Sequence, residues 1–129
     1  MQKTNGFTVI ELIVAIAFLL LAGTLFLVQK GDLDSSHRDE ARKTAINAIY
    51  YNLDELFWVS NKYYPEKIAA DTLKGLDPAL LKDPEGRSLG EARSDYRYEP
   101  ESCVDGKCKN FVLRTTLEKE ADFVKESNR

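Results

Sequence analysis

Glu11 is the only charged residue between Phe7 and Val28, a run of 22 residues otherwise built from apolar and small side chains. A lone carboxylate at such a position costs up to about 3 kcal/mol in hydrocarbon unless it is paired, protonated or able to reach the interface. It therefore needs a partner or a reason. The second chemically capable pair is Cys103 and Cys108, which flank an Asp105-Gly106 dipeptide. Asp-Gly is a strong signal for a two-residue hairpin turn, and the thiols on either side of it become cross-strand neighbours at a distance a disulfide accepts. A disulfide is the favoured reading, two free thiols the alternative. It implies an oxidising, extracytoplasmic setting. A zinc site fits less well, since C-x4-C lacks a second ligand pair and the single histidine, His37, is far away in sequence. His37 lies in a charged stretch and reads as a solvated side chain, and Asp39-Glu40 and Asp54-Glu55 read as helix surface. No nucleophile and base stand out together, so the sequence predicts no enzyme, no cofactor and no catalytic residue.

The run from Phe7 to Val28 meets the length of about 20 apolar residues needed to cross a bilayer. It is longer than the apolar core of a secretory signal, and no small-x-small cleavage site follows it, so the segment is expected to remain in the mature chain. Met1-Gln2-Lys3-Thr4-Asn5-Gly6-Phe7-Thr8-Val9-Ile10-Glu11-Leu12 resembles the processing region of type IV prepilins and secretion pseudopilins. In that family a dedicated peptidase cuts after the glycine and methylates the new amine. Carried over residue by residue, the resemblance implies a leader of residues 1–6, cleavage between Gly6 and Phe7, N-methylation of Phe7, and an assembly role for Phe7 with Glu11. A cut there leaves a cationic amine at the end of an apolar helix, and residues four apart share a helix face. The amine and the Glu11 carboxylate can then pair within one chain or between neighbours. Desolvated pairs add little net stability but select one arrangement over others, so a pair between chains sets axial register.

Beyond Val28 the chain turns polar without proline, and helix can continue. Ala41, Ala45, Ile49, Leu53, Leu56, Ser60 and Tyr63 recur at helical spacing, widened by Ile46, Tyr50 and Phe57. One face is expected to be buried, with the helix ending at Tyr64-Pro65 because proline pushes the preceding residue out of helical geometry. Gly31 with Asp32 to Ser36 is the candidate break, and Gly23-Thr24 a weaker one; a continuous helix is the alternative. From Glu66 to Arg93 turn signals dominate and predict a connecting lobe. Tyr64-Pro65 followed by Asp83-Pro84-Glu85-Gly86 repeats an order that the pilin family also shows.

The Asp105-Gly106 turn sets a register in which Tyr98 faces Leu113 and Tyr96 faces Thr115. Tyr96, Tyr98, Phe111, Leu113, Thr115 and Leu117 then share the face that covers the helix. Arg97 falls opposite Arg114, and Pro100 lacks a ladder donor, so a bulge or splay near Pro100 is expected. Ala121 to Lys125 reads as a short edge strand carrying Phe123 inward, and Glu126 to Arg129 as a frayed tail.

The expected fold is α+β: a long spine helix whose first half spans the membrane, with a small antiparallel sheet head on its second half. The segments are 1–6 leader, 7–29 transmembrane or filament-core helix, 30–64 amphipathic continuation, and 65–129 connecting lobe and sheet. The chain carries a formal net charge of −3 and shows no evident nucleic-acid site. The resemblance implies a pilin of a type IV pilus-like filament, anchored in the cytoplasmic membrane with its C-terminal domain outside and extracellular once assembled. Its partners are then copies of itself, the prepilin peptidase and methylase, a platform protein with an assembly ATPase, and membrane lipid before assembly. The alternatives are a secretion pseudopilin and a membrane-anchored scaffold that does not polymerise. In some pseudopilins a C-terminal loop binds calcium, and Glu118, Glu120 and Asp122 are candidates by location alone; no metal site is assigned.

Overall fold

The computed structural model describes Gly6 and residues 8–129. The chain divides into one unit ending at Ser35 and another spanning Ser36–Arg129. Helix α1 (Val9–Tyr51) begins in the first and supplies the core of the second. In the first unit the apolar side chains from Val9 to Val28 are exposed. The helix is long and apolar enough to cross a membrane. The helix runs unbroken through Gly23 and Gly31, so neither candidate break is realised. Thr24 stays compatible with an apolar helix because its hydroxyl donates to the Leu21 carbonyl at 2.9 Å.

In the second unit the helical stripe turns inward. Ala45, Ile46, Ile49 and Leu53 are buried. The helix then widens into a π-helical stretch, Asn52–Phe57, before a last α-helical turn, α2 (Trp58–Asn61). It ends at Lys62, which takes the left-handed conformation (φ 64°), three residues before the proline that was expected to stop it. Tyr64 starts the next element instead: β1 (Tyr64–Pro65) pairs antiparallel with β3 (Lys107–Cys108). The wide turn brings Asn52, Leu53 and Asp54 all to the interior, where the Tyr64 hydroxyl donates to Asp54 Oδ1 at 2.6 Å. Asp54 is thus buried, contrary to its surface reading, because tyrosine supplies the hydrogen bond that burial demands.

A three-stranded antiparallel sheet, ordered β2-β4-β5, packs on the helix: β2 is Tyr96–Glu101, β4 Asn110–Thr115 and β5 Phe123–Glu126. The register is the expected one, with Tyr98 opposite Leu113 and Tyr96 opposite Thr115. Tyr96, Phe111, Leu113, Thr115 and Leu117 are buried, with Tyr98 and Phe123 partly so. Pairing continues through Pro100 to Glu101 without a bulge. Pro100 sits on an edge strand opposite Phe111, whose own N–H and carbonyl bond toward Ser127 on the other side. That pair needs no donor from β2, so the ring costs no ladder bond. Arg97 and Arg114 do stand opposite each other, and Arg114 turns to Glu99 at 2.6 Å. Cys103 and Cys108 form a disulfide.

The lobe between helix and sheet contributes buried Leu73 and Leu81, the latter from a 3₁₀ turn at Pro78–Leu81. Asp83 organises its end: Oδ1 accepts the N–H groups of Glu85 (3.0 Å) and Arg87 (2.9 Å), and Oδ2 that of Asp95 (3.0 Å). The C-terminal residues are not frayed. Arg129 lies 4.6 Å from the Trp58 ring centre and 3.5 Å from Glu55, and Asn128 meets the Tyr50 hydroxyl, so the tail is tied to the helix by ring and ion contacts.

Phe111→Ala is expected to cost about 3–5 kcal/mol, the usual range for a deleted core aromatic, measured by chemical denaturation of the detergent-solubilised chain. Reducing the disulfide should cost about 2 kcal/mol or less, because the closed loop is short. Labelling of both thiols without prior reduction would contradict the bond.

Candidate functional site

Two places gather charged or polar groups that burial and helix geometry hold in fixed positions. The first is the N-terminal end of α1. Thr8 precedes the first helical residue, and Glu11 lies three positions on. The Glu11 N–H meets the Thr8 hydroxyl oxygen at 3.4 Å, and Glu11 Oε2 accepts from the Thr8 N–H and hydroxyl, each also at 3.4 Å. The contacts are long, but their arrangement is a capping box, in which Ser or Thr and a Glu three residues later satisfy each other's helix-end donors. Glu11 in the first turn also faces the positive end of the helix dipole. The T-x-x-E spacing is the sequence signal for this cap, and the sequence reading assigns Thr8 no role from it. Gly6 is described with an open surrounding. Phe7, expected to be cut free and methylated, lies outside the described residues, as do residues 1–5 of the expected leader.

The second place is the seam between α1 and the β4–β5 connection. Arg42 and Asp39 are 3 % exposed, although the sequence reading leaves Asp39 on the surface. Arg42 spreads its guanidinium over three carboxylates: Nη1 reaches Asp39 at 2.9 Å and Glu118 at 2.8 Å, and Nε reaches Asp95 at 2.9 Å. Arg38 grips Glu118 with two bonds of 2.7 Å, the parallel-fork geometry that makes arginine–carboxylate pairs strong. Lys43 holds both oxygens of Glu120 at 2.9 Å. Asp39 then accepts from the backbone N–H groups of Glu118 at 2.9 Å and Lys119 at 3.0 Å.

Of the calcium candidates Glu118, Glu120 and Asp122, the first two have their carboxylates engaged by helix cations, so a metal there would have to displace three ion pairs. Burial alone would push the Asp39 carboxyl up. The two backbone donors and Arg42 outweigh it and hold the group below its ordinary value. Burial likewise opposes ionisation of Asp83, and the N–H groups of Arg87, Asp95 and Glu85 overcome it. Burial would lower Arg42, and its bonds to Glu118 and Asp95 raise it. His37 is exposed beside the lobe rather than part of either group.

Comparison with family models, with characterised proteins and with solved structures finds no match.

Because Asp39 and Asp83 titrate below the ordinary aspartate value of 3.8, their contribution to stability is present above that value and lost as the pH falls through the folded ones. A stability profile should therefore drop on acidification below about pH 4. Asp39→Asn should cost about 1–3 kcal/mol, since Arg42 keeps two carboxylates, and should flatten the acid limb. An unchanged acid limb would show that Asp39 is not its source.

Proposed function

We propose that this chain is a pilin, a structural subunit of a type IV pilus-like filament that is cut after Gly6 and polymerises through α1. The observation that carries the reading is one helix with two characters. Its first part exposes an unbroken apolar surface with a single carboxylate in the opening turn, and its second part is buried under a small sheet domain. An apolar helix with no fold of its own to bury it is stable in lipid or against copies of itself. Glu11 folds back toward Thr8, the residue next to Phe7, so an amine created at Phe7 would arise one residue from the carboxylate's present partner. The disulfide-closed hairpin is consistent with a head in an oxidising compartment.

The Thr8 cap offers a purely structural account of Glu11, and it separates cleanly from the assembly role. Glutamine can serve in a capping box as well as glutamate; it cannot neutralise an amine. In cells carrying the peptidase and assembly machinery, wild type should yield sheared filaments whose subunit begins with N-methyl-Phe7 by intact mass. Glu11→Ala and Glu11→Gln should both enter the membrane and be processed, yet give little filament. Wild-type filament yield from Glu11→Gln would reduce Glu11 to a helix cap. Absence of polymer from the unmutated chain, with processing intact, would favour a membrane-anchored scaffold. Short, retained polymer with loss of protein secretion on deletion would favour a pseudopilin.

A further inference from the structure

Beside the disulfide hairpin lies an open concavity of about 670 Å³, with Trp58 and Tyr63 in its lining. The charged side chains that line it are Lys62, Lys107, Lys109, Arg129 and Asp105, and with Arg129 paired to Glu55 and Asp54 three lysines face one acid, in a chain whose formal net charge is −3. Three of the cations are held by rings. Lys62 Nζ lies 4.4 Å and the Arg129 guanidinium carbon 4.6 Å from the centre of Trp58, and Lys107 Nζ lies 5.2 Å from that of Tyr63. Such contacts fix a cation without neutralising it. Arg129 also pairs with Glu55 at 3.5 Å and serves the fold, whereas gathering Lys62, Lys107 and Lys109 is unfavourable unless an anion offsets them, so the three lysines carry the binding determinant.

The backbone is arranged to the same end. The described non-glycine residues with positive φ are Lys62 (64°), Ser102 (54°) and Asp105 (51°), and all three line this concavity. Lys62 ends the helix and Asp105 turns the hairpin, but their convergence at one site matches the tendency of strained residues to gather where a ligand is held. The disulfide and the pairing of β3 with β1 tie the hairpin side to the helix-end side.

The chemistry of the lining narrows the ligand. Single-stranded nucleic acid is held by bases stacked on aromatic faces, and here Trp58 carries two cations while Tyr63 carries one and packs T-shaped with Phe57. Charge is offered in place of stacking. Asp105 adds a carboxylate, which accepts from sugar hydroxyls and has nothing to accept from phosphate oxygens, and Ser102 adds a hydroxyl that can serve either. We propose that this concavity binds an acidic carbohydrate, a sugar chain carrying closely spaced carboxylate or sulfate groups. The proposal is independent of polymerisation.

The test uses the full chain in detergent with its disulfide intact, and three immobilised probes: a heparin-derived decasaccharide, a charge-matched oligo-dT, and a neutral maltooligosaccharide. The decasaccharide should bind best, with affinity falling steeply as salt rises, and the neutral sugar should not bind. K107E/K109E should weaken binding about tenfold or more, the loss of one charge-assisted contact or above. K74E/K82E, which makes the same change in net charge elsewhere on the head, should leave binding unchanged. In the unmutated protein the decasaccharide should protect Lys62, Lys107 and Lys109 from acetylation but not Lys82, a readout that needs no variant to fold. Equal losses in the two double variants, or no protection, would overturn the site. Tighter binding of oligo-dT would make the ligand a nucleic acid, and self-association abolished by K107E/K109E would make it a second copy; either result overturns the carbohydrate assignment.

Discussion

A guanidinium buried among carboxylates cannot be left half satisfied, and the arrangement of the head follows from how Arg42 is satisfied. Its three partners come from different places: Asp39 from its own helix, Asp95 from the end of the lobe, and Glu118 from the connection after β4. One side chain therefore fixes the spacing between helix, lobe and sheet. The cost of taking these charges out of water is recovered only when each is also hydrogen-bonded, and the Asp39 contacts to the Glu118 and Lys119 N–H groups meet that condition. Such a cluster adds less to net stability than an apolar core of the same volume would. A docking of the sheet that left any one of these charges without its partner would be disfavoured.

The apolar core works with that seam. Ile46, Ile49 and Leu53 meet Phe111 and Leu113, and Tyr64 and Phe111 pack edge to face with centres 4.7 Å apart. Tyr64 and Tyr98 bury their rings and keep their hydroxyls bonded, one to Asp54 and one to the Pro65 carbonyl, each at 2.6 Å. Burial, with the Asp54 carboxylate beside it, raises the Tyr64 phenol well above its ordinary value, and Tyr98 rises through burial alone. A head braced in this way presents fixed surfaces, and the cationic concavity beside the hairpin is one of them, distinct from the apolar helix that the filament reading employs.

Much of the fold could be read from residue order because it rests on short-range rules. The Asp105-Gly106 turn dictates a two-residue hairpin register, and that register alone aligns Tyr96, Tyr98, Leu113 and Thr115. The cysteines on either side of the turn are brought together by the same geometry. The apolar stripe around Ala45, Ile49 and Leu53 announces a buried helix face through its spacing. The T-x-x-E cap at Thr8 was equally local, yet it was masked by the stronger apolar signal around it.

What residue order did not reveal depends on partners distant in sequence. Asp39 has Arg42 one turn along its helix, but the backbone donors that complete its burial come from Glu118 and Lys119, and the donor to Asp54 is the Tyr64 hydroxyl, all placed by the fold. Pro100 looked disruptive because a sequence does not say which strand is an edge or which pairs in an antiparallel ladder exchange hydrogen bonds. The tail looked loose because its anchors, Trp58, Glu55 and Tyr50, lie 71 to 78 residues upstream. Sequence by itself determined the helix, the turn, the register and the lone acid in the apolar run, since each is set by neighbours a few residues away. Tertiary structure decided which charges go inside, which cations share one concavity, and where the chain's end is held, since those follow from desolvation and long-range pairing that no local pattern encodes.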